Sequence, residues 1–181
     1  MGLLSVRVHQ DMSRSERSDA IRDAFLAALR EQGASVESMA DLAASEPNGT
    51  LRDVLLGLGR AGREVYLLRG VGFINVHVRA EPPGWWNILK SVKRDLDLLA
   101  KELGVKTYYV LLIGREDSHI ANGYIAADFA TAPFARTPKS EETKYSVNEK
   151  VHLDQNKRLL SIKKISTILL QAPQSAASNA P

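Results

Sequence analysis

One hairpin within residues 63–129 constrains the fold more than any other feature of the chain. Two short apolar runs, residues 64–69 and 73–80, are rich in Val, Tyr, Ile and Phe, and the glycine-containing link 70–72 separates them. Such runs predict β-strands, and so short a link predicts an antiparallel hairpin. Because side chains alternate along a strand, we expect the second run to present an apolar face to the core. Its other face is polar and should line a groove, a cleft or solvent.

The residues after the hairpin predict a helix and a buried strand. Over residues 85–103, apolar side chains recur at spacings of three and four, and Gly104 follows where a helix commonly ends. The nearly continuous apolar run 107–113 is typical of a central strand buried on both faces. A polar loop over 114–123 and a further strand over 124–129 are expected next. This order predicts an α/β fold with a mixed central sheet flanked by helices.

The first part of the chain predicts helices. A capping-box pattern, Ser13 with Glu16, predicts a first helix over residues 13–32. Residues 35–44 predict a short second helix, and a third helix is expected to begin with Thr50 as its cap.

Composition divides the chain into three parts. Residues 1–60 are expected to form a helical N-terminal region and residues 61–170 the α/β core, whereas residues 171–181 have the composition of a disordered tail. Within the core, residues 131–150 predict an ordered loop, and Asp154 predicts the cap of a last helix.

Charge and cysteine content narrow the class of protein. The 181 residues include no cysteine, which excludes disulfides and Cys-based zinc sites and fits a cytoplasmic location. The apolar runs are too short to span a membrane, and the start lacks a secretory pattern, so we expect no membrane association. Residues 1–60 hold seven Arg and nine acids, whereas residues 61–181 hold 17 Lys and Arg and 12 acids. The resulting net charge of +5 in the second part favours a polyanion such as nucleic acid, although a solvated cationic surface is the alternative.

The polar side chains inside the hairpin are the candidates for chemistry. Alternation places Asn75, His77 and Arg79 on one face of the second strand, and Glu64 begins the first strand. A metal-dependent phosphodiesterase needs acids that hold Mg²⁺ and a base or cation near the attacking water. The structural alternatives are a solvent-facing Glu64 and an exposed or hydrogen-bonded His77.

The order of elements, together with the phrase FINVHVRAEPPGWWN at residues 73–87, resembles the core of the PD-(D/E)XK, or restriction-endonuclease-like, superfamily. The resemblance covers about residues 15–130. It matches Glu64 to the upstream acid of that family, Asn75 to the second acid and His77 to the lysine. The chain departs from the family pattern at each position, since no Pro precedes Glu64, an amide replaces the second acid and an imidazole replaces the lysine.

This resemblance implies Mg²⁺-assisted hydrolysis of DNA, with Mn²⁺ as a substitute metal. Glu64 would hold the metal, Asn75 would hold it weakly or through water, and His77 would orient or deprotonate the water. A homodimer would place two identical sites against both strands of a palindrome.

Basic and aromatic residues outside the hairpin are candidates for binding the nucleic acid. Trp85 fits the apolar stripe of the predicted helix, which leaves Trp86 to stack on a base or cover a groove edge. The alternative is that both rings pack at the helix start. Lys90, Lys93 and Arg94 of the predicted helix would contact phosphates. The alternative is a solvated helix face in which Asp97 pairs with a lysine at i,i+4. The full set of nucleic-acid-binding candidates is Arg79, Trp86, Lys90, Lys93 and Arg94. A second basic cluster, Lys157, Arg158, Lys163 and Lys164, would strengthen the groove if both helices flank the same sheet face.

Three functions stay open on these grounds. The first is a restriction-endonuclease-like protein that binds DNA and hydrolyses it with Mg²⁺. The second is a catalytically degenerate nucleic-acid-binding or regulatory module on the same fold, which the Asn75 and His77 substitutions favour. The third is a structural or protein-interaction domain, which the modest total charge favours.

Overall fold

The structure is a computed structural model that describes residues 12–61, 64–115, 118–126, 144–150 and 158–172. The helices in these ranges are α1 (Arg14–Glu31), α2 (Met39–Ser45), α3 (Gly49–Ala61), α4 (Lys90–Leu103) and α5 (Ile162–Gln171). The strands are β1 (Val36–Ser38), β2 (Val65–Leu68), β3 (Gly72–Arg79), β4 (Trp85–Leu89), β5 (Lys106–Arg115), β6 (Ser118–Ala126), β7 (Lys144–Asn148) and β8 (Leu160–Ser161).

Six of the described strands form one mixed sheet in the order β1-β2-β3-β5-β6-β8. β3 and β5 run parallel at its centre, whereas the other neighbouring pairs are antiparallel. The parallel pair requires a crossover, which α4 supplies. β4 and β7 form a separate antiparallel ribbon. The predicted hairpin, crossover helix and buried central strand are therefore confirmed, as is the α/β fold with a mixed central sheet flanked by helices.

Each face of the large sheet is covered by other elements. On the face that we call the α1 face, α1 and α5 pack against Ile74 and Val76 of β3. On the opposite face, the α4 face, Phe73 packs with side chains of α2, α3 and α4. The ribbon covers Tyr109 and Leu111 of β5 on this same face. Most of β3 is thus buried on both sides, so the polar face expected to line a groove or solvent does not form one.

α1 begins and ends as the sequence predicts. Ser13 Oγ accepts a hydrogen bond from the Glu16 backbone N–H at 3.2 Å, and Glu16 Oε2 accepts one from the Ser13 N–H at 2.7 Å. A cap of this kind stabilises a helix by about 1 kcal/mol. Gly33 follows with a φ of +87°, in the left-handed region that glycine adopts without strain.

The second and third predicted helices begin later or earlier than expected. Val36–Ser38 is strand β1, because it finds β2 as an antiparallel partner, and α2 begins only after Ser38. α3 begins at Gly49, since Asn48 Oδ1, not Thr50, accepts the capping hydrogen bond from the Leu51 N–H at 3.1 Å.

The largest correction concerns residues 85–103. Trp85–Leu89 is a strand, and α4 begins at Lys90, because β4 pairs with β7 along its whole length. β7 lies within 131–150, the segment predicted to be a loop, so the partner that makes β4 a strand is far away in the chain. Long-range pairing overrides a local period that fits a helix.

Two further boundaries differ from the prediction. Residues 118–123, expected in a polar loop, belong to β6, which pairs with β5. α5 is capped by Ser161, whose Oγ accepts from the Lys164 N–H at 3.2 Å. Asp154, the predicted cap, lies outside the described residues, as do 127–143 and 173–181. No helix in the described ranges is long and apolar enough to cross a membrane.

Candidate functional site

Glu64 lies on the opposite face of the hairpin from Asn75. The antiparallel register places Val65 opposite Asn75, and the Val76 N–H donates to the Glu64 carbonyl at 2.8 Å. Glu64 therefore lies opposite Val76, on the α1 face. Arg22 of α1 reaches it there, with Nη1 3.5 Å from Glu64 Oε1.

The Asn75 side chain is buried on the α4 face of the sheet. The residue is 1% exposed, beside Tyr109 of β5 and opposite Val65 of β2. Its Nδ2 is buried and makes no hydrogen bond to another described residue. A buried amide in such surroundings costs free energy unless it is paired, and it offers little access to a metal ion.

His77 follows on the same face in an environment that keeps it neutral. Part of its surface is exposed, yet Nε2 is buried and has no hydrogen-bond partner within the described ranges. Burial lowers the pKa of His77 from 6.5 to about 4. The imidazole is therefore uncharged at pH 7, and a base this weak with a buried Nε2 is poorly suited to deprotonating water.

The predicted metal residues do not fit a shared Mg²⁺ or Mn²⁺ ion. Glu64 points to one face of the sheet and Asn75 to the other, whereas a metal site needs ligands that converge at about 2 Å. Within the residues that the structure describes, no group of three or more His, Cys, Asp or Glu side chains is placed to hold a metal.

The tryptophan pair is arranged opposite to the prediction. Trp86 is 2% exposed, its Nε1–H donates to the Leu112 carbonyl at 3.0 Å, and its ring meets Tyr124 edge to face. The predicted base-stacking role of Trp86 is therefore wrong. The alternation of strand β4 turns Trp86 inward and leaves Trp85 51% exposed.

The basic residues of α4 are largely engaged within the protein. Lys93 Nζ lies 2.5 Å from Asp97 Oδ2, and Arg94 Nη2 lies 3.0 Å from an oxygen of Asp95. The Lys90 ammonium sits 5.2 Å from the centre of the Tyr145 ring, in a cation–π contact. These contacts match a solvated helix face with i,i+4 pairing more closely than a phosphate-binding row.

The two basic helices do not flank one groove. α4 packs on one face of the large sheet and α5 on the other. Lys163 and Lys164 of α5 therefore lie across the sheet from α4, and Lys157 lies outside the described residues.

A basic surface instead forms where β3 and β5 end. The parallel register places Arg79 beside Ile113, and Arg115 is two residues further along β5. Both arginines are exposed, and within the described residues neither forms an ion pair. The chain packs closely at this end, since a Cβ on Gly114 would lie 2.4 Å from the Ala80 carbonyl oxygen.

The start of α1 brings two more arginines to the same end. Arg14 Nη2 lies 3.5 Å from Glu81 Oε2, and Arg17 contacts the other oxygen of Glu81. We call Arg14, Arg17, Arg79 and Arg115 the sheet-end arginines. Glu81 is shared by two of them, and the nearby carboxylate of Glu16 caps its own helix. The prediction included Arg79 but missed the other three, because only the parallel pairing and the helix position bring them together.

Comparison with known proteins adds little to this geometry. No family model matches the sequence, and a search of curated proteins gave no significant match. The matching solved structures include Hjc, a Holliday junction resolvase from Archaeoglobus fulgidus, with 13% identity and a TM-score of 0.32. That match covers 64% of this chain and 98% of the resolvase chain. At this score the likeness supports no conclusion about function or site.

Proposed function

We propose that the chain binds nucleic acid through the sheet-end arginines and does not hydrolyse it with Glu64, Asn75 and His77. The observation that carries the proposal is that the four sheet-end arginines lie at one end of the sheet and that only two of them, Arg14 and Arg17, contact a described carboxylate, that of Glu81.

Guanidinium groups suit phosphate binding because they stay charged and present several donors in a fixed plane. Arg79 and Arg115 are exposed and carry no described ion pair, so their charges face solvent. The net charge of +5 over residues 61–181 acts in the same direction, since neutralised phosphates release counterions.

The second half of the proposal rests on the two faces of the hairpin. Hydrolysis by the predicted set requires Glu64, Asn75 and His77 to meet at one metal and one water. Their opposite orientation and the burial of Asn75 argue against such a meeting. The predicted homodimer and Mg²⁺ dependence stay predictions.

The binding proposal is tested by titrating a labelled duplex at several salt concentrations. The variant Arg79→Gln/Arg115→Gln removes two charges from the sheet end. The control Lys101→Gln/Lys106→Gln removes two charges near the start of β5, about 30 Å away along a ten-residue strand. The sheet-end variant should lose roughly tenfold in affinity at low salt, and its log–log salt slope should fall by about two. Equal effects of both variants, or failure of the wild type to bind either this duplex or one of its single strands at low salt, would overturn the proposal.

Plasmid incubation with Mg²⁺ or Mn²⁺ tests the absence of hydrolysis by the hairpin residues. We expect no cleavage that depends on Glu64 or His77. Cleavage by the wild type that is lost in Glu64→Ala or His77→Ala would contradict the proposal.

A further inference from the structure

We infer that the Trp85 ring is a surface on which an unpaired base stacks. The nucleic acid that binds near the sheet-end arginines would therefore be single-stranded. This inference rests on the proposed function, which it refines by naming the form of nucleic acid.

Trp85 is exposed in a way that packing does not explain. Its neighbours in alternation on β4, Trp86 and Ile88, are 2% and 0% exposed, whereas Trp85 is 51% exposed. Among the large hydrophobic side chains that are exposed in the described ranges, it is the only aromatic one. Exposing an apolar indole to water is unfavourable, and the exposed ring offers a broad π-face for stacking.

The fold holds Trp85 at the same end of the sheet as the arginines. The adjacent Trp86 donates to the carbonyl of Leu112, the residue before Ile113, and Ile113 lies beside Arg79. Trp85 and the sheet-end arginines therefore lie towards the same end of the sheet, and a nucleotide offers a base to an indole and a phosphate to a guanidinium group.

The backbone before Trp85 is fixed by close packing. The Gly84 N–H donates to Glu149 Oε2 at 3.2 Å, and the Glu149 N–H donates to the Gly84 carbonyl at 2.8 Å. A Cβ on Gly84 would lie 2.4 Å from the Trp86 ring. The Tyr124 hydroxyl donates a hydrogen bond to the other oxygen of Glu149, so both oxygens of this carboxylate are hydrogen-bonded within the protein. A platform whose backbone is already ordered loses little entropy when a base stacks on it.

The outward face of the ribbon suits a nucleotide better than a protein partner. Trp85 and Leu89 are its exposed apolar residues, and Asn87 stands between them with its Oδ1 accepting from the Ser146 hydroxyl at 2.8 Å. This arrangement is not the contiguous apolar patch that marks protein interfaces. No carboxylate occurs at the outward positions of β4 and β7. Bases in a duplex are stacked on one another, so only an unpaired base can reach the indole.

The test compares binding of a labelled single strand with binding of the duplex formed from it. Trp85→Ala should weaken single-strand binding by about tenfold or more and leave duplex binding nearly unchanged. Trp85→Phe should retain most of the affinity. Leu103→Ala removes a side chain that is 47% exposed at the far end of α4 and serves as the matched control.

Two results would overturn this inference alone, and a third would overturn both the inference and the proposed function. Binding of the single strand by Trp85→Ala at wild-type affinity would overturn the inference and leave the proposed function standing. An equal loss for single strand and duplex would also overturn it, because stacking on an unpaired base predicts a selective loss. Failure of the wild type to bind either form at low salt would overturn both.

Discussion

β3 contributes polar residues to two regions, the hairpin interior and the sheet end, and these regions differ in how far their side chains are buried. In the hairpin interior, Asn75 is 1% exposed and His77 has a buried Nε2, with Glu64 turned to the other face. At the sheet end, Arg79 is exposed beside the end of β5. Neighbouring polar residues of one strand can thus be buried or exposed, so a polar strand face does not by itself predict a binding site. The buried amide of Asn75 and the exposed guanidinium of Arg79 belong to residues only four positions apart.

The difference between the two regions is tested most strongly by giving the hairpin interior the acid that a metal site needs. Asn75→Asp should lower the free energy of unfolding by about 3 kcal/mol or more, because it buries an unpaired carboxylate. Urea unfolding at pH 7 measures this. The control Asn75→Leu should be neutral or stabilising by about 1 kcal/mol, since it removes a buried unpaired amide. An Asn75→Asp variant as stable as the wild type, with further stabilisation by Mg²⁺, would show that the interior does hold a metal.

The buried imidazole predicts a loss of stability in acid. The pKa of His77 is lowered to about 4 in the folded protein, whereas an unfolded histidine titrates near 6.5. Between these values the unfolded chain binds the proton and the folded chain does not, so falling pH favours unfolding. The loss of stability is complete below about pH 4. It amounts to at most about 3 kcal/mol, and partial exposure of the ring makes this an upper limit.

The measurement compares unfolding free energies of the wild type and His77→Leu at pH 7 and pH 4. Carboxylates titrate in both proteins, so the difference between the two pH-dependences isolates His77. The variant should lose less stability than the wild type on acidification. Parallel losses would show that His77 is accessible and protonates freely in the folded state.

The smallest expected effect concerns Glu64. Its carboxylate and the Arg22 guanidinium are partly exposed and 3.5 Å apart, and Arg22 also contacts Asp19 at 3.1 Å. Glu64→Gln should therefore cost less than about 1 kcal/mol in unfolding free energy. A much larger change, measured by thermal or urea unfolding, would show that Glu64 stabilises the fold more than a partly exposed ion pair does.

Local sequence patterns predicted the parts of the fold that local physics decides. The Ser13–Glu16 cap, the short glycine link of the hairpin and the apolar run of β5 each carry their own signal within a few residues. β4 carries no such signal, because Trp85–Leu89 is a strand only through its pairing with Lys144–Asn148.

The candidate site was less predictable than the fold for the same reason. Alternation correctly grouped Asn75, His77 and Arg79 on one face, but it does not reveal that helices cover that face. Whether Glu64 and Asn75 share a face depends on the register of the hairpin, because a shift of one residue moves each side chain to the other face of the sheet. The grouping of Arg115 with Arg14 and Arg17 depends on the parallel pairing and the placement of α1, which no local pattern encodes.

The most direct test of the account places both regions in one binding assay. The same labelled single strand is titrated at low salt against Glu64→Gln/His77→Gln and against Arg79→Gln/Arg115→Gln, after thermal unfolding confirms that both are folded. We expect wild-type affinity for the hairpin variant and a loss of about tenfold for the sheet-end variant. The reverse result, with affinity lost in the hairpin variant and kept in the sheet-end variant, would contradict it.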